Sequence, residues 1–266
     1  MMKQSELARA FSALHVAGDP LILFNVWDAG SAKAAAEAGA KAIATGSWAV
    51  AAANGFDDGE KMPIDLVLAN LERITASVDL PVTLDAEGGY AEDPESVGAN
   101  IALVIKAGAI GINFEDRIVN GTGLHSVDDQ SARIRAIRKA ADALSVPLFI
   151  NARTDVFLPL DTATHNESHL EEATKRAAAY AEAGASGFFA PGLVDPDLIG
   201  RLCKESPLPV NILVWSGVPT SKRLADLGVA RISYGGASYR TTMNAFKDAA
   251  KGAFEWKESV ADTASR

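Results

Sequence analysis

The chain has 266 residues, 48% of them hydrophobic and 22% charged, with a formal charge of −9 and a pI near 5.0. This composition supplies a large core and excludes a disordered chain, and the single Cys203 excludes an intrachain disulfide and fits a reducing compartment. The acidic balance, with Lys and Arg scattered, argues against nucleic acid as a partner; no stretch approaches the ~18 apolar residues of a membrane span and the opening residues lack a secretory apolar core, so a cytoplasmic protein without a membrane partner is expected.

Along the chain, short β-branched runs alternate with Ala-rich helical stretches. Strands are expected at 21–26, 41–45, 80–84, 110–114, 147–151, 187–190, 209–214 and 230–233. Helices are expected near 29–38, 63–78, 94–107, 128–143, 167–183, 195–204, 220–227 and 237–250. The segments EAGA (37–40), KAGA (106–109), EAGA (182–185) and DLGV (226–229) place Gly just past a last helical turn, where it tolerates the left-handed cap conformation. Eight strand–helix units imply the α/β class and a single (β/α)8 TIM-type barrel over residues 1–250, with a helical extension at 251–266.

Chemistry in such a barrel belongs to the C-terminal strand ends and the loops that follow them. Those positions hold Asn25, Trp27 and Asp28 after strand 1, Ser47 and Trp48 after strand 2, Asp57 and Asp58 in the next loop, Asp85 and Glu87 after strand 3, Glu115 and Asp116 after strand 4, and Arg153 and Asp155 after strand 5. Asp85, Glu87 and Glu115 come from adjacent strand ends and repel one another unless a cation intervenes. Oxygen ligands without a nearby His or Cys favour Mg²⁺ or Mn²⁺ over Zn²⁺. Arg153 is placed to grip a carboxylate or phosphoryl group, or to pair with Asp155, and the amides around Ser47 suit the other end of a small anionic substrate.

Taken together, the pieces resemble the isocitrate lyase/phosphoenolpyruvate mutase superfamily over roughly residues 20–240. Its acidic motif, D-x-D/E-x-G-Y-G, reads Asp85-Ala86-Glu87-Gly88-Gly89-Tyr90-Ala91, with Ala91 in place of the last Gly. Glu115-Asp116, Asn151-Ala152-Arg153-Thr154-Asp155 and Asn25-Val26-Trp27-Asp28-Ala29 match its other segments. The resemblance implies a Mg²⁺ enzyme acting on a 2-oxo or 2-hydroxy carboxylate through an enolate, and a homotetramer whose C-terminal helix is exchanged between subunits. It implies Asp85 as the direct metal ligand, with Glu87, Glu115 and Asp58 acting through metal-bound water, and Ser47, Trp48 and Arg153 holding substrate. Trp27 and Asn211 complete the expected substrate-binding set, and Asp58 and Arg153 are expected to serve catalysis as well.

The loop after Glu115-Asp116 departs from the resemblance. Superfamily lyases that split isocitrate or methylisocitrate carry K-[KR]-C-G-H there, and phosphonate-forming mutases carry a K-T-N-S-like segment. This chain has Arg117-Ile118-Val119-Asn120-Gly121-Thr122-Gly123-Leu124-His125-Ser126, leaving His125 as the candidate proton donor. A carbon–carbon lyase or decarboxylase is the leading expectation, with phosphoenolpyruvate mutase or phosphonopyruvate hydrolase activity as the alternative. Other readings are a Schiff-base aldolase, which lacks a strand-end Lys; a phosphate cradle at Gly235-Gly236, against which stands close backbone packing; and a barrel that binds a small acid without turnover.

Overall fold

The structure, a computed structural model, describes residues 3–263. Eight parallel strands form one sheet: β1 (Leu21–Leu23), β2 (Ile43–Ala44), β3 (Val82–Asp85), β4 (Gly111–Glu115), β5 (Phe149–Arg153), β6 (Gly187–Phe189), β7 (Val210–Leu213) and β8 (Arg231–Ser233). Their order is β1-β8-β7-β6-β5-β4-β3-β2, the sequential order of a (β/α)8 barrel cut between β1 and β2. The cut is nearly closed by a parallel bridge between Val26 and Thr45, in which Val26 N donates to Ala44 O at 2.8 Å.

The helices that follow the strands form the outer layer: α2 (Ala29–Glu37), α4 (Ile64–Thr75), α5 (Pro94–Lys106), α6 (Val127–Ala143), α7 (Glu167–Glu182), α8 (Pro196–Glu205) and α9 (Ser221–Asp226). Their starts follow capping chemistry: Asp28, Asp93, Ser126, Asn166, Asp195 and Thr220 each accept a first-turn N–H. Two helices were not expected from the pattern. The first, α1 (Gln4–Ala13), buries Ala8 and Phe11 and donates from Gln4 Nε2 to Ile105 O and Ala109 O at 2.7 and 2.8 Å. Just beyond it His15 stacks on Phe149 with centroids 4.0 Å apart, and burial, with Arg231 nearby, lowers its pKa to about 3; it is a neutral packing residue. The second, α3 (Ser47–Ala53), begins directly at the strand-2 end and aims Ser47 and Trp48 into the barrel mouth.

The last helix, α10 (Ala237–Thr263), runs unbroken through residue 250, and residues 264–266 of the expected extension lie outside the described residues. It begins packed on the barrel, where the buried Ser238 donates to Asn25 O at 2.5 Å, and then stands away from it. Nearly all its described side chains from Arg240 to Glu255 are exposed.

The β1–β2 seam is held by Asn25, only 3% exposed. Its Nδ2 donates to Thr45 O at 2.8 Å, and its Oδ1 accepts from Tyr234 N at 3.0 Å and Gly235 N at 2.8 Å. Asn25→Leu leaves these buried backbone groups unpaired, and urea unfolding should show a loss of about 3 kcal/mol, from ~1–3 kcal/mol per orphaned group after partial relaxation. Unchanged stability would mean that the seam is held elsewhere.

Candidate active site

The C-terminal mouth encloses a cavity of about 320 Å³. Asp58, Asp85, Ser47, Trp48 and Arg153 line it together with Asn25, Asn113, Trp215, Tyr234 and Arg240, among others. Asp85 N donates to Thr45 Oγ1 at 2.9 Å, and Ser47 N donates to Asp85 Oδ2 at 3.1 Å. The Ser47 amide is therefore spent on the carboxylate rather than free for substrate. Burial pushes the Asp85 carboxyl above its usual range; Arg153 and Ser47 oppose this and Asp58 adds to it.

Glu87 sits in a clamped turn. Its Oε2 accepts from Gly59 N at 2.9 Å and Glu60 N at 2.7 Å, and its Oε1 accepts from the Tyr90 hydroxyl at 3.0 Å. Glu60, Glu87 and Tyr90 all take left-handed φ values, 58°, 49° and 58°. A Cβ on Gly88 would stand 2.8 Å from Val119 Cγ2 and 3.0 Å from Glu60 Oε1, so a larger residue under the 117–126 loop would push those side chains aside. Arg133 Nη2 holds the far side through Gly88 O and, at 3.0 Å, Ala91 O. Burial, with Asp85 and Asp58 nearby, pushes the Glu87 carboxyl up to about 7.

Glu115 ends β4 with its Oε2 2.8 Å from Arg153 Nη1. The rest of that guanidinium is bidentate on Asp155, Nε to Oδ1 at 2.6 Å and Nη2 to Oδ2 at 2.8 Å. Burial raises the Glu115 carboxyl, and Arg153 pulls it back. Among the described residues no three His, Cys, Asp or Glu side chains stand close enough to hold a metal ion by themselves. Glu87 and Glu115 are occupied by protein donors, and Asp85 is the buried carboxylate facing the cavity. That donor set fits a hard cation held by one carboxylate and mostly by water, as Mg²⁺ prefers.

Three of the expected residues lie elsewhere. His125 lines a second, smaller cavity of about 90 Å³ with Glu60, Tyr90, Glu92, Arg117 and Arg133, because its backbone N is tied to Asp116 O at 2.8 Å. Burial and Arg133 lower its pKa. Asn211 is 1% exposed inside the barrel and pairs with Ser233 Oγ at 3.2 Å. Trp27 packs edge-on against Tyr239 at 5.0 Å, and its carbonyl accepts from Asn70 Nδ2 at 2.9 Å. The Gly235-Gly236 turn is no open cradle either, since Gly235 N is bound to Asn25 Oδ1 and a Cβ on Gly236 would lie 2.7 Å from the Trp48 ring. The pattern missed Glu60, Trp215, Tyr234 and Arg240; for Arg240 the signal was a Gly-Gly pair one helical turn before a cation at a strand-8 end.

The raised Glu87 pKa makes a signed prediction for chelator-treated protein. Below about pH 4.5 the carboxyl is protonated in both folded and unfolded chains and costs nothing; as pH rises to 7 the unfolded chain ionises first, so stability falls. The shift from 4.5 to about 7 corresponds to about 3 kcal/mol, and Glu87→Gln should remove that part of the decline in denaturant melts at pH 5 and 7.5. Parallel pH curves for the two proteins would show that Glu87 is not strained by its charge.

A profile of the phosphoenolpyruvate phosphomutase family matches residues 11–254. A crystal structure from Burkholderia cenocepacia J2315, provisionally named a phosphonomutase, superposes with a TM-score of 0.92 at 52% identity, covering 94% of this chain and 100% of that one. An uncharacterized protein of Mycobacterium tuberculosis H37Rv is 33% identical over 242 residues, 91% of this chain and 88% of its own length. The 2-methylisocitrate lyase of Escherichia coli K12 is 29% identical over 242 residues, 87% of this chain and 79% of its own. With the barrel and the strand-end carboxylates in place, the match over nearly the whole chain is decisive: the chain belongs to the phosphoenolpyruvate phosphomutase family of enzymes, within the isocitrate lyase/phosphoenolpyruvate mutase superfamily.

Proposed function

We propose that this chain is a Mg²⁺-dependent lyase-type enzyme that acts on a small 2-oxo or 2-hydroxy carboxylate through an enolate, by carbon–carbon cleavage or decarboxylation. The observation that carries the reading is the mouth cavity itself: Asp85 faces it, Arg153 and Ser47 flank that carboxylate, and among the described residues no Cys, Lys or His lines it. Such a site stabilises charge and leaves proton transfer to its carboxylates and to water. A bound divalent cation, Mg²⁺ or Mn²⁺, would supply Lewis-acid stabilisation of negative charge growing on the 2-oxo oxygen.

The chain's own residues divide the remaining work. The Ser47 amide fixes the rotamer of Asp85, so the other carboxylate oxygen is left for the cation. Arg153, locked by Asp155 and Glu115, presents a fixed positive charge to the substrate carboxylate. Asp58, exposed at the rim, is the lining carboxylate placed to take a proton from a substrate hydroxyl. Glu87 and Glu115 contribute through water and through the field they set up. Trp48 forms one wall. His125 is given no role in proton transfer, because its ring lies in the second cavity.

Cys203 replaces no missing thiol. It lies on α8, against Gly228, and burial pushes its pKa up to about 12, far from a reactive thiolate. A phosphonate substrate is the second reading, favoured by the 52% identity with the Burkholderia protein. The test is a screen of C4–C6 2-oxo and 2-hydroxy diacids plus phosphonopyruvate with Mg²⁺, followed by product identification. Asp85→Asn should abolish turnover and Mg²⁺ binding with the fold intact, Cys203→Ser should retain activity, and isocitrate and methylisocitrate should be cleaved negligibly. Full activity in Asp85→Asn, or activity lost on alkylating Cys203, would sink the proposal.

The proposal extends to a homotetramer that exchanges α10. Met243, Phe246, Ala250 and Phe254 share one helix face, and Phe246 and Phe254 are each 71% exposed. The outer face of β1 is correspondingly bare: Ile22 and Phe24 are 43% and 49% exposed beside a groove of about 420 Å³ lined by Leu14, Val16, Pro20 and Ala38. In sedimentation experiments Phe246→Glu with Phe254→Glu should shift the protein to a smaller species. Unchanged mass would place the interface elsewhere.

A further inference from the structure

Beneath the mouth cavity lies a cation that the chemistry above does not use. Arg231, the first residue of β8, is 0% exposed and sits two residues before Ser233, which lines the cavity. Its guanidinium reaches across the barrel to β4, where Nη2 donates to Asn113 Oδ1 at 3.0 Å, and Nε donates to Ser233 Oγ at 3.3 Å. Among the described residues Nη1 has no partner and no carboxylate stands within ion-pair distance. The interior layers of such a barrel are ordinarily filled by Val, Ile and Leu, and an apolar side chain of similar volume is usually no less stable there than a buried charge. Packing alone gives no reason for an arginine at this position.

Its hydrogen bonds impose a direction on Asn113. A guanidinium has no acceptor, so the atom of the Asn113 amide that faces it is the oxygen. The same oxygen accepts from Asn151 Nδ2 at 2.9 Å. Asn151 alone could not settle the orientation, because two amides can donate to each other in either sense; the obligate donor settles it. With Oδ1 turned into the barrel and held twice, Nδ2 of Asn113 is left for the cavity that Asn113 lines. Asn113 and Asp85 are register partners on neighbouring strands, ~4.8 Å apart in such a sheet, so these N–H groups belong beside the carboxylate that faces the cavity. The charge of that same carboxylate bears on Arg231 below.

We propose that Arg231 is a positioning residue: from beneath the cavity it turns the Asn113 amide so that its N–H groups meet a negatively charged oxygen of the bound acid, and its own charge favours that anion over a bare cation. The inference rests on the reading of this cavity as a 2-oxo acid site and adds to it how the acid is held.

Calorimetry with two probes, Mg²⁺ alone and oxalate in saturating Mg²⁺, tests it. Arg231→Met should bind oxalate at least about tenfold more weakly, the scale of one hydrogen bond to a charged group. It should bind Mg²⁺ alone at least about twofold more tightly, because a like charge beneath Asp85 is gone. Damage to the fold would weaken both, so the opposed changes separate positioning from structure. Arg231→Lys is again an obligate donor of the same charge and should recover most of the oxalate affinity. Asn113→Leu removes the amide and keeps the Arg231 charge; it should weaken oxalate by the same factor with Mg²⁺ affinity unchanged, and it carries the test if Arg231→Met does not fold. If oxalate binding depends on Asp85 but is equal in wild type and either Arg231→Met or Asn113→Leu, or if Arg231→Met does not tighten Mg²⁺, the Arg231 assignment is overturned and the 2-oxo acid reading stands. If oxalate fails to bind wild type, or binds Asp85→Asn equally well, that reading fails and the Arg231 assignment falls with it.

Discussion

The barrel depends on one buried amide. β1 ladders with β8 and β2 with β3, and the gap between β1 and β2 is spanned by one bridge and by the side chain of Asn25. An amide suits this place because it donates and accepts at once: the NH2 reaches the Thr45 carbonyl and the oxygen takes two N–H groups from the β8 turn. Asp, Leu or Ser could not serve both sides. From that knot hang the two segments that shape the mouth. Thr45 passes the constraint to Asp85 through its hydroxyl, and the turn at Tyr234–Gly236 sets the start of α10.

The acidic loop shows how the fold keeps unfavourable charge in place. Three non-glycine residues in left-handed backbone cost on the order of 1 kcal/mol or more each. Against this stand the amides of Gly59 and Glu60 on Glu87, the Tyr90 amide on Glu60, and the Asn100 and Arg133 side chains on the loop carbonyls. The loop is over-determined from three directions, so Glu87 stays where its ionisation is costly. Inside the barrel Arg231 is the opposite case, a fully buried guanidinium that donates to Asn113 and Ser233 with no carboxylate of the described residues in ion-pair range; burial lowers its pKa to about 9, and the Asp85 charge opposes that. A buried positive charge therefore lies in the layer beneath the mouth, under Asp85.

Strand positions were legible because a parallel barrel strand is buried on both faces and reads as a short apolar run, with Gly marking the end of the helix before it. The strand-end carboxylates were legible for the same reason, since a polar residue closing such a run marks where the strand reaches the mouth; which side each one faces was not. What the pattern hid was decided by distant partners. The α1 helix owes its place to Gln4 reaching backbone carbonyls about a hundred residues away, and its own sequence is only moderately amphipathic. Trp27 looked like a wall of the cavity because it follows strand 1, but Tyr239 on α10 claims its ring. Asn211 was placed correctly on its strand, one layer too deep to face the cavity. Whether α10 would end at residue 250 could not be read from an amphipathic stripe that continues past it.

The pair Glu115-Asp116 explains why His125 does not reach the cavity. Consecutive residues at a strand end point to opposite sides, so an acidic dipeptide there must serve two environments. Glu115 turns inward to Arg153. Asp116 turns outward, fully buried, where its carboxylate accepts from Asp155 N at 3.0 Å, Arg176 Nη1 at 3.0 Å and the Tyr180 hydroxyl at 2.8 Å. Its carbonyl takes the His125 amide, and the same Arg176 nitrogen reaches the His125 carbonyl at 3.0 Å. Both ends of the 117–126 loop are thus fastened to the outward side of the strand, while Val119 rests on Gly88 at its tip. A residue near the end of this loop is carried away from Asp85 by the interactions that make the loop ordered, whatever its chemistry.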